Sequence, residues 1–422
     1  MSSSNVHNLP LGHIATCQVC GSSDLDFIMD LGHQPPCDSL LRPEQLQEAE
    51  NTYPLRLWLC RQCSLAQIDY VVAPEVLFHP NYPYKSGITP SLRGYLRSIA
   101  DEIHAKIPLG KENLVIDVGS NDGTLLSGFQ KYQCRILGIE PTNVADVANE
   151  RGIPTEKSFF CLPTAEKILA EHGQATAVTA TNMFAHVKDL GDLISGVSRL
   201  LVDGGIFLTE SHYVLNILED VQYDSIYHEH LKYYSLRSLI RLFEHYDFTV
   251  ADAAKIPNYG GSIRVFAVKG RNKPQSARLQ ALLKEEEAAH VYDLDTFLKF
   301  RDQVRQSKLD LQRLLVSLAA DGIAVPGIGC PGRSSTLINY CNIDSSIMPY
   351  IAEQSDSLKL GLSLPGKHIP IVDEKILFET NPEYVLMLSW HYAEPIIKKL
   401  RAKGLKSKII MPLPTVHILD HA

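Results

Sequence analysis

The sequence has no excess of positive charge. Its 422 residues carry 40 Lys and Arg against 48 Asp and Glu, a formal net charge of −8, and the pI is about 6.1. Nucleic acids and anionic lipid surfaces call for basic faces, so this balance argues against either as a partner. Nor does any apolar run approach the ~20 residues that a membrane-spanning helix needs. The opening MSSSNVHNLP lacks the basic and apolar regions of a secretory signal, and a cytoplasmic location is the expectation. Internal repeats and low-complexity stretches are missing too. What remains is an ordinary globular composition, 45% hydrophobic and 21% charged. The length exceeds what one hydrophobic core sustains and predicts two or three domains.

Nine cysteines, an odd number spread along the whole chain, do not make a disulfide framework. Two pairs stand out: CQVC at 17–20 and CRQC at 60–63. Two residues between sulfurs let one knuckle present both thiolates to a tetrahedral metal. Two knuckles then close a four-sulfur shell with no position left for water. Cys17, Cys20, Cys60 and Cys63 are therefore expected to hold a structural Zn²⁺ in a lobe spanning 1–75, with LGHQPPCDSLLRPEQLQ looping out between the knuckles. Four free thiols are the plainer alternative, and a redox pair lacks the surrounding βαβ pattern.

From about 76 to 272, short apolar runs alternate with amphipathic stretches. SLRGYLRSIADEIHAKI has the 3.6-residue apolar period of a helix. NLVIDVGSNDGT (113–124) reads as a strand ending in an acid and a glycine-rich turn. CRILGIEP, ATAVTATNM, GGIFLTESH, FTVADAAKI and SIRVFAVKG follow as further strands. Strands alternating with helices predict an α/β fold, a parallel sheet covered on both faces, with ligands at the carboxyl ends of the strands. A second α/β unit is expected over 273–422. It opens with a helical stretch at 275–320 and continues through GIAVPGIGCPGRSSTLINY to YVLMLSW and KIIMP. The EEE run at 285–287 reads as the solvated face of that first helix.

The turn DVGSNDGT is not a GxGxxG, so a dinucleotide pyrophosphate is a poor guest. Glu140 ends the next strand, 23 positions after Asp117 (140 minus 117), where a carboxylate accepts hydrogen bonds from ribose hydroxyls. A ribose and a cationic sulfonium with no phosphate describe S-adenosylmethionine. Asp117, Gly119, Asn121 and Asp122 would approach its methionine end and Glu140 its ribose. Asn182 and Met183 would line the path of the methyl group. A degenerate nucleotide-binding unit or an oxidoreductase is the competing reading.

YDSIYHEHLKYY at 223–234 crowds four tyrosines, two histidines and two acids into twelve residues. On a helical turn Tyr227 and His230 point the same way; on a strand Tyr227 and Glu229 share a face. A metal at His228, Glu229 and His230 lacks the HExxH spacing. A polar loop without chemistry is the remaining alternative to an acid/base cluster.

Several ordered motifs together resemble a known family. They are CQVC…CRQC with LGHQPP between, YPYKSG, DVGSNDGT, NMFAHV, ESHYVLNIL, YDSIYHEHLKYYS, GGSIRVF, GIGCPGRSSTLINY, LPGKHIPI and YVLMLSW. The likeness is to the S-adenosylmethionine-dependent sugar C-methyltransferases, which build branched-chain deoxysugars on nucleotide-linked 4-keto intermediates. It implies a small zinc-binding lobe, a Rossmann-type methyltransferase core, and a C-terminal Rossmann-like α/β lobe that helps to hold a nucleoside-diphosphate keto-sugar, dTDP-linked by expectation. His230 would be the general base, with Tyr227 and Glu229 around it, and His186 would bond the developing oxyanion or a sugar hydroxyl. Tyr82 and Lys85 would close over the cofactor and Tyr84 over the sugar. Gly260, Gly261 and Ser262 would either present backbone NH groups to the substrate or simply form a strand-entry turn. Arg264 would meet a phosphate or else form a solvated salt bridge, and Arg333 and Lys367, flanking glycine turns of the third lobe, would meet the diphosphate, with His368 and Trp390 as weaker substrate candidates. A monomer or weak oligomer is expected. Tyr259 stands where the family has a histidine, and CPGRSS replaces an alanine-lysine-glycine turn; both departures bear on the identity of the sugar. The rival functions are a non-catalytic binding module, a nicotinamide-dependent oxidoreductase, which the missing GxGxxG disfavours, and a C-methyltransferase for a non-sugar carbon.

Overall fold

LVIDV is apolar at every position but one, the pattern of a strand covered on both faces, and the strand Leu114–Val118 is buried throughout. A computed structural model, which describes residues 7–77 and 90–420, places it inside a seven-stranded sheet. Arg135–Ile139 and Thr155–Glu156 lie to one side of it. Ala175–Thr181, Leu201–His212, Ser262–Lys269 and Phe248–Ile256 follow in that spatial order on the other. Pairing is parallel from Thr155–Glu156 across to Leu201–His212. Ser262–Lys269 runs antiparallel to both its neighbours, where the sequence pattern predicts a parallel strand. The physical reason is the short turn at 257–261: a parallel partner needs a crossover of a dozen residues or more, so the last strand folds straight back into the sheet.

The chain leaves Leu114–Val118 toward one edge and returns to Ala175–Thr181 on the opposite side. This reversal opens a crevice at the carboxyl ends of those two strands, and it is there that Asp117, Gly119, Asn182 and Met183 fall. The expected lid residues Tyr82, Tyr84 and Lys85 lie outside the described residues.

The N-terminal lobe is a four-stranded sheet ordered Lys232–Tyr233, Ala66–Ile68, Tyr53–Cys60, Leu25–Gln34. Its first strand comes from the core chain immediately after YHEH: Lys232 pairs with Gln67 and Tyr233 with Ala66. Gln18 reinforces the joint by donating to the carbonyls of Ile68 at 2.8 Å and Leu231 at 3.1 Å, and Ser235 Oγ donates to the Ser64 carbonyl at 3.0 Å. The third lobe holds six strands ordered Ile371–Asp373, Ile351–Glu353, Gly327–Ile328, Tyr384–Met387, Lys408–Met411, His417–Leu419. All pair in parallel except the last. The helix Leu294–Ala320 packs against the zinc-lobe strand Leu25–Gln34. One hydrophobic core runs through all three lobes, from Leu9 to Leu413.

The sulfurs of Cys17, Cys20, Cys60 and Cys63 lie within 4.8 Å of one another, with 3.5 Å between Cys17 and Cys63 and between Cys20 and Cys60. A tetrahedral zinc with arms of about 2.3 Å makes sulfur–sulfur edges of about 3.8 Å, so the set fits the ion. Replacing Cys17 by Ser, or removing metal with a chelator, should therefore lower the melting temperature and speed amide exchange at Lys232 and Tyr233. An unchanged fold and melting temperature with a specific loss of chemistry would overturn a structural role.

Candidate active site

Among the described residues, acids rather than cations line the crevice. Asp117 is buried and accepts a 2.6 Å hydrogen bond from Thr179 Oγ1. Burial above all, despite that bond, raises its pKa to about 7, and Glu140 and Glu210 add to the rise. Glu140 accepts from the Asn121 amide at 3.1 Å and from the amide and hydroxyl of Thr142 at 2.9 and 2.7 Å, which fixes its carboxylate at the strand end. Gly119, at φ +72°, has its absent Cβ only 3.1 Å from Met183 Cγ, so a larger residue would displace Met183. Two buried oxygens at this end of the sheet, Ser120 Oγ and Asn182 Oδ1, have no partner among the described residues. Carboxylates and free acceptors suit a cation and a diol and repel a phosphate, so the residues present fit S-adenosylmethionine. Asp122 does not belong to this set. Its carboxylate takes Arg151 at 2.7 Å and the Thr124 hydroxyl at 2.7 Å, turning inward to hold the turn together.

Beyond the crevice the YHEH segment forms a tight turn closed by the His230 amide on the Tyr227 carbonyl, 2.9 Å. The helical-turn geometry therefore holds: the Tyr227 and His230 rings lie 4.1 Å apart. His230 Nδ1 sits 3.0 Å from the Ser225 carbonyl, which can only accept, so Nδ1 carries the proton. That leaves the Nε2 lone pair as an acceptor, taken up by the Tyr227 hydroxyl at 3.0 Å. Burial, and the neighbouring His212 and His186, hold the ring neutral by pushing its pKa well below the ordinary histidine value. The centroid of His186 is 4.7 Å from that of His230, and that of His212 is 4.4 Å away. Glu229 turns away from His230 and accepts from the Cys37 thiol at 3.2 Å, while His228 bonds the Pro54 carbonyl. The three side chains diverge, which removes the metal reading of His228, Glu229 and His230.

Arg333 enters from the third lobe and is almost fully buried. Its guanidinium faces His212 Nε2 at 3.3 Å, His391 Nδ1 at 3.4 Å and the Tyr259 carbonyl at 3.0 Å. A permanent cation donates to those ring nitrogens, so both histidines are neutral, as their lowered pKa values also require. Its nearest carboxylate among the described residues is Asp224, at 3.9 Å. Asp224 is itself anchored by Trp390 Nε1 at 2.8 Å.

Other candidates fall away from the site. Arg264 lies inside the sheet, bonded to Glu210 at 2.5 Å, to the Tyr95 hydroxyl at 2.8 Å and to Glu102; it cannot reach a phosphate. Lys367 bonds Asn342 at 2.5 Å and His368 pairs with Glu50 on the surface. The absent Cβ of Gly261 falls 2.4 Å from Asn216 and that of Gly260 2.7 Å from Gln222. Those glycines make room for protein side chains and not for a ligand, and Ser262 bonds the Asn258 carbonyl. Sequence reasoning missed His212, His391, Cys37, Asp38 and Lys359. His212 alone had a signal, as the polar end of the strand GGIFLTESH.

Three family models divide the chain. A "Putative zinc binding domain" matches residues 17–78, a methyltransferase domain 92–253, and a C-methyltransferase C-terminal domain 257–414. The C-methyltransferase NovU of Streptomyces niveus is 33% identical over 412 residues, covering 96% of this chain and 97% of that one. The chain belongs to this C-methyltransferase family. Solved structures show partial likeness. The magnesium protoporphyrin IX methyltransferase of Synechocystis PCC 6803 matches at 13% identity and a TM-score of 0.32, over 42% of this chain and 79% of its own. The geranyl diphosphate C-methyltransferase of Streptomyces coelicolor A3(2) matches at 13% and 0.32, over 46% and 92%. As a member of that family, with a methyltransferase domain over 92–253, the chain is an S-adenosylmethionine-dependent enzyme, and its zinc-binding lobe carries a four-cysteine cluster. No helix among the described residues is long and apolar enough to cross a membrane.

Removing the Arg264 cation by Arg264→Met leaves Glu210 buried without its partner. This should cost about 3–5 kcal/mol, read as a lowered denaturation midpoint. Stability should also fall in acid. Burial holds His186 and His228 down at about 4, from 6.5. Below 6.5 the unfolded chain takes up protons that the folded one refuses, so stability present above that pH is lost between 6.5 and 4. Denaturation midpoints across this window should decline, and less steeply for His228→Gln.

Proposed function

We propose that the enzyme methylates C3 of a nucleoside-diphosphate 4-keto-6-deoxysugar, dTDP-linked, with His230 as the base. The observation that carries this reading is the fixed tautomer of His230, whose unprotonated Nε2 sits beside the Tyr227 hydroxyl in a buried turn. Carbon methylation next to a ketone needs an enolate. A base must take the proton on the adjacent carbon while donors hold the oxygen as its charge grows. The Tyr227 hydroxyl, which occupies the Nε2 lone pair in the substrate-free site, turns from it when the acceptor enters; His230 Nε2 then takes that proton, and His186 serves the oxygen. Burial penalises an isolated imidazolium, but the imidazolium and enolate form together as a neutral pair, which lightens that penalty. Asp117, Glu140, Asn182 and Met183 would hold S-adenosylmethionine, which supplies an electrophilic methyl group on a cationic sulfonium. Arg333, a buried cation whose nearest carboxylate among the described residues stands 3.9 Å away, is the anion contact that suits a diphosphate, and the three-lobe arrangement supports a substrate larger than a simple keto acid.

The test is mass spectrometry of a reaction with S-adenosylmethionine and a dTDP-4-keto-6-deoxyhexose in deuterated water. One methyl should be gained, and His230→Ala should lower the rate by about 10²–10⁴. Deuterium uptake without methylation would support the base and refute the assigned acceptor. Neither event, after a screen of other nucleotides and sugars, would overturn the reading.

A further inference from the structure

A second group of buried titratable side chains meets where the three lobes join. The excursion between the zinc knuckles supplies Cys37 and Asp38, the YHEH turn supplies Glu229, and the third lobe supplies Lys359. The Cys37 sulfur and carboxylate oxygens of Asp38 and Glu229 lie within 4.8 Å of one another. Lys359 Nζ reaches Asp38 Oδ1 at 3.3 Å and the Cys330 carbonyl at 2.8 Å. The third lobe closes tightly over the group: a Cβ on Gly332 would stand 3.0 Å from Asp38 Oδ2 and 3.3 Å from Cys37 Sγ.

Charge counting then decides the protonation state. One ammonium serves the buried Glu229 and the partly buried Asp38, and Glu353, bonded to the Cys330 amide at 2.8 Å, also faces it. Buried like charges at this separation do not both ionise. Asp38 holds the direct ion pair, so Glu229 keeps its proton. The thiol of Cys37 donates to Glu229 Oε1, which marks that atom as the carbonyl oxygen and leaves Oε2 as the hydroxyl. Burial first, then Asp38, raises the Glu229 pKa to about 8, against Cys37 and Lys359, which pull it down; Tyr227 also faces it and is held neutral by burial.

We propose that Asp38, held in place by its ion pair with Lys359, is a positioning residue that keeps Glu229 in its neutral form against the opposing pull of that cation, so that the Glu229 hydroxyl serves as a hydrogen-bond donor to an oxygen of the acceptor. The identity of the acceptor rests on the function proposed above; the protonation of Glu229 does not. Zinc would then serve chemistry at a distance, by fixing the segment that carries Asp38.

Infrared titration of the whole enzyme without substrate tests this. At about pH 7 a buried carboxylic-acid carbonyl band should be present and should vanish in Glu229→Gln. In Asp38→Asn its titration should move down by about one unit or more, and in Lys359→Met it should move up, because the cation that favours ionisation is gone. Asp38→Glu should restore the wild-type titration. With a competent acceptor, Asp38→Asn should lower kcat more than it changes KM and shift the alkaline limb of the pH profile. Zinc content and melting temperature report folding, and if Asp38→Asn fails to fold, the sign of the Lys359→Met shift decides alone. A wild-type enzyme without the Glu229 band, or a band unmoved by both substitutions, overturns the proposal. A band that moves as expected in an enzyme inactive on every keto-sugar overturns the assigned acceptor and leaves the proton on Glu229.

Discussion

The pairing of Lys232 and Tyr233 with Ala66 and Gln67 is a short ladder, yet it fixes where the reactive turn stands. Two residues upstream is His230, whose ring direction follows from its bond to the Ser225 carbonyl. Downstream, Ser235 bonds the zinc lobe and caps the next helix through Ser238. The turn is thus held at both ends by backbone and hydroxyl contacts that tolerate little displacement. A catalytic group must be held to a fraction of an ångström to act, and a free loop of twelve residues would not supply that.

The surroundings are built to keep histidines uncharged. Burial is the first cause at His186, His212, His230 and His391. The fixed charge of Arg333 adds to it at His212, His230 and His391, and Lys232 adds to it at His186. A neutral imidazole offers a lone pair, so an environment hostile to the imidazolium maintains a ready base across the physiological range. Lys232 shows the same pressure: its burial lowers its pKa to about 7, and its Nζ donates to the Val187 carbonyl at 2.8 Å.

Much of this was legible in the chain. Periodicity placed the helix Pro90–Lys106 and the strands of the core, because apolar spacing records burial directly. The CxxC pairs gave the four-sulfur cluster, since a metal dictates its ligand spacing. Reading failed where a residue's role depends on what lies opposite it in space. Arg264 looks like a phosphate ligand until Glu210, 54 positions away, is seen to face it across the strand pair. Asp122 looks like a cofactor contact until Arg151 meets it. Cys37 and Asp38 carry no local signal at all, because their partners lie 192 and 321 positions further along.

The excursion between the knuckles has an evolutionary consequence. Cys20 and Cys60 are 40 positions apart, a long loop for a zinc knuckle pair. Loop-closure entropy grows only with the logarithm of length, about 0.6 kcal/mol per doubling. A metal-pinned loop can therefore lengthen, shorten or change sequence at little thermodynamic cost while its two ends stay in register. That freedom falls on the stretch around Pro43–Gln47, none of which is buried, because the strands Leu25–Gln34 and Tyr53–Cys60 and the residues Cys37 and Asp38 are held by their partners.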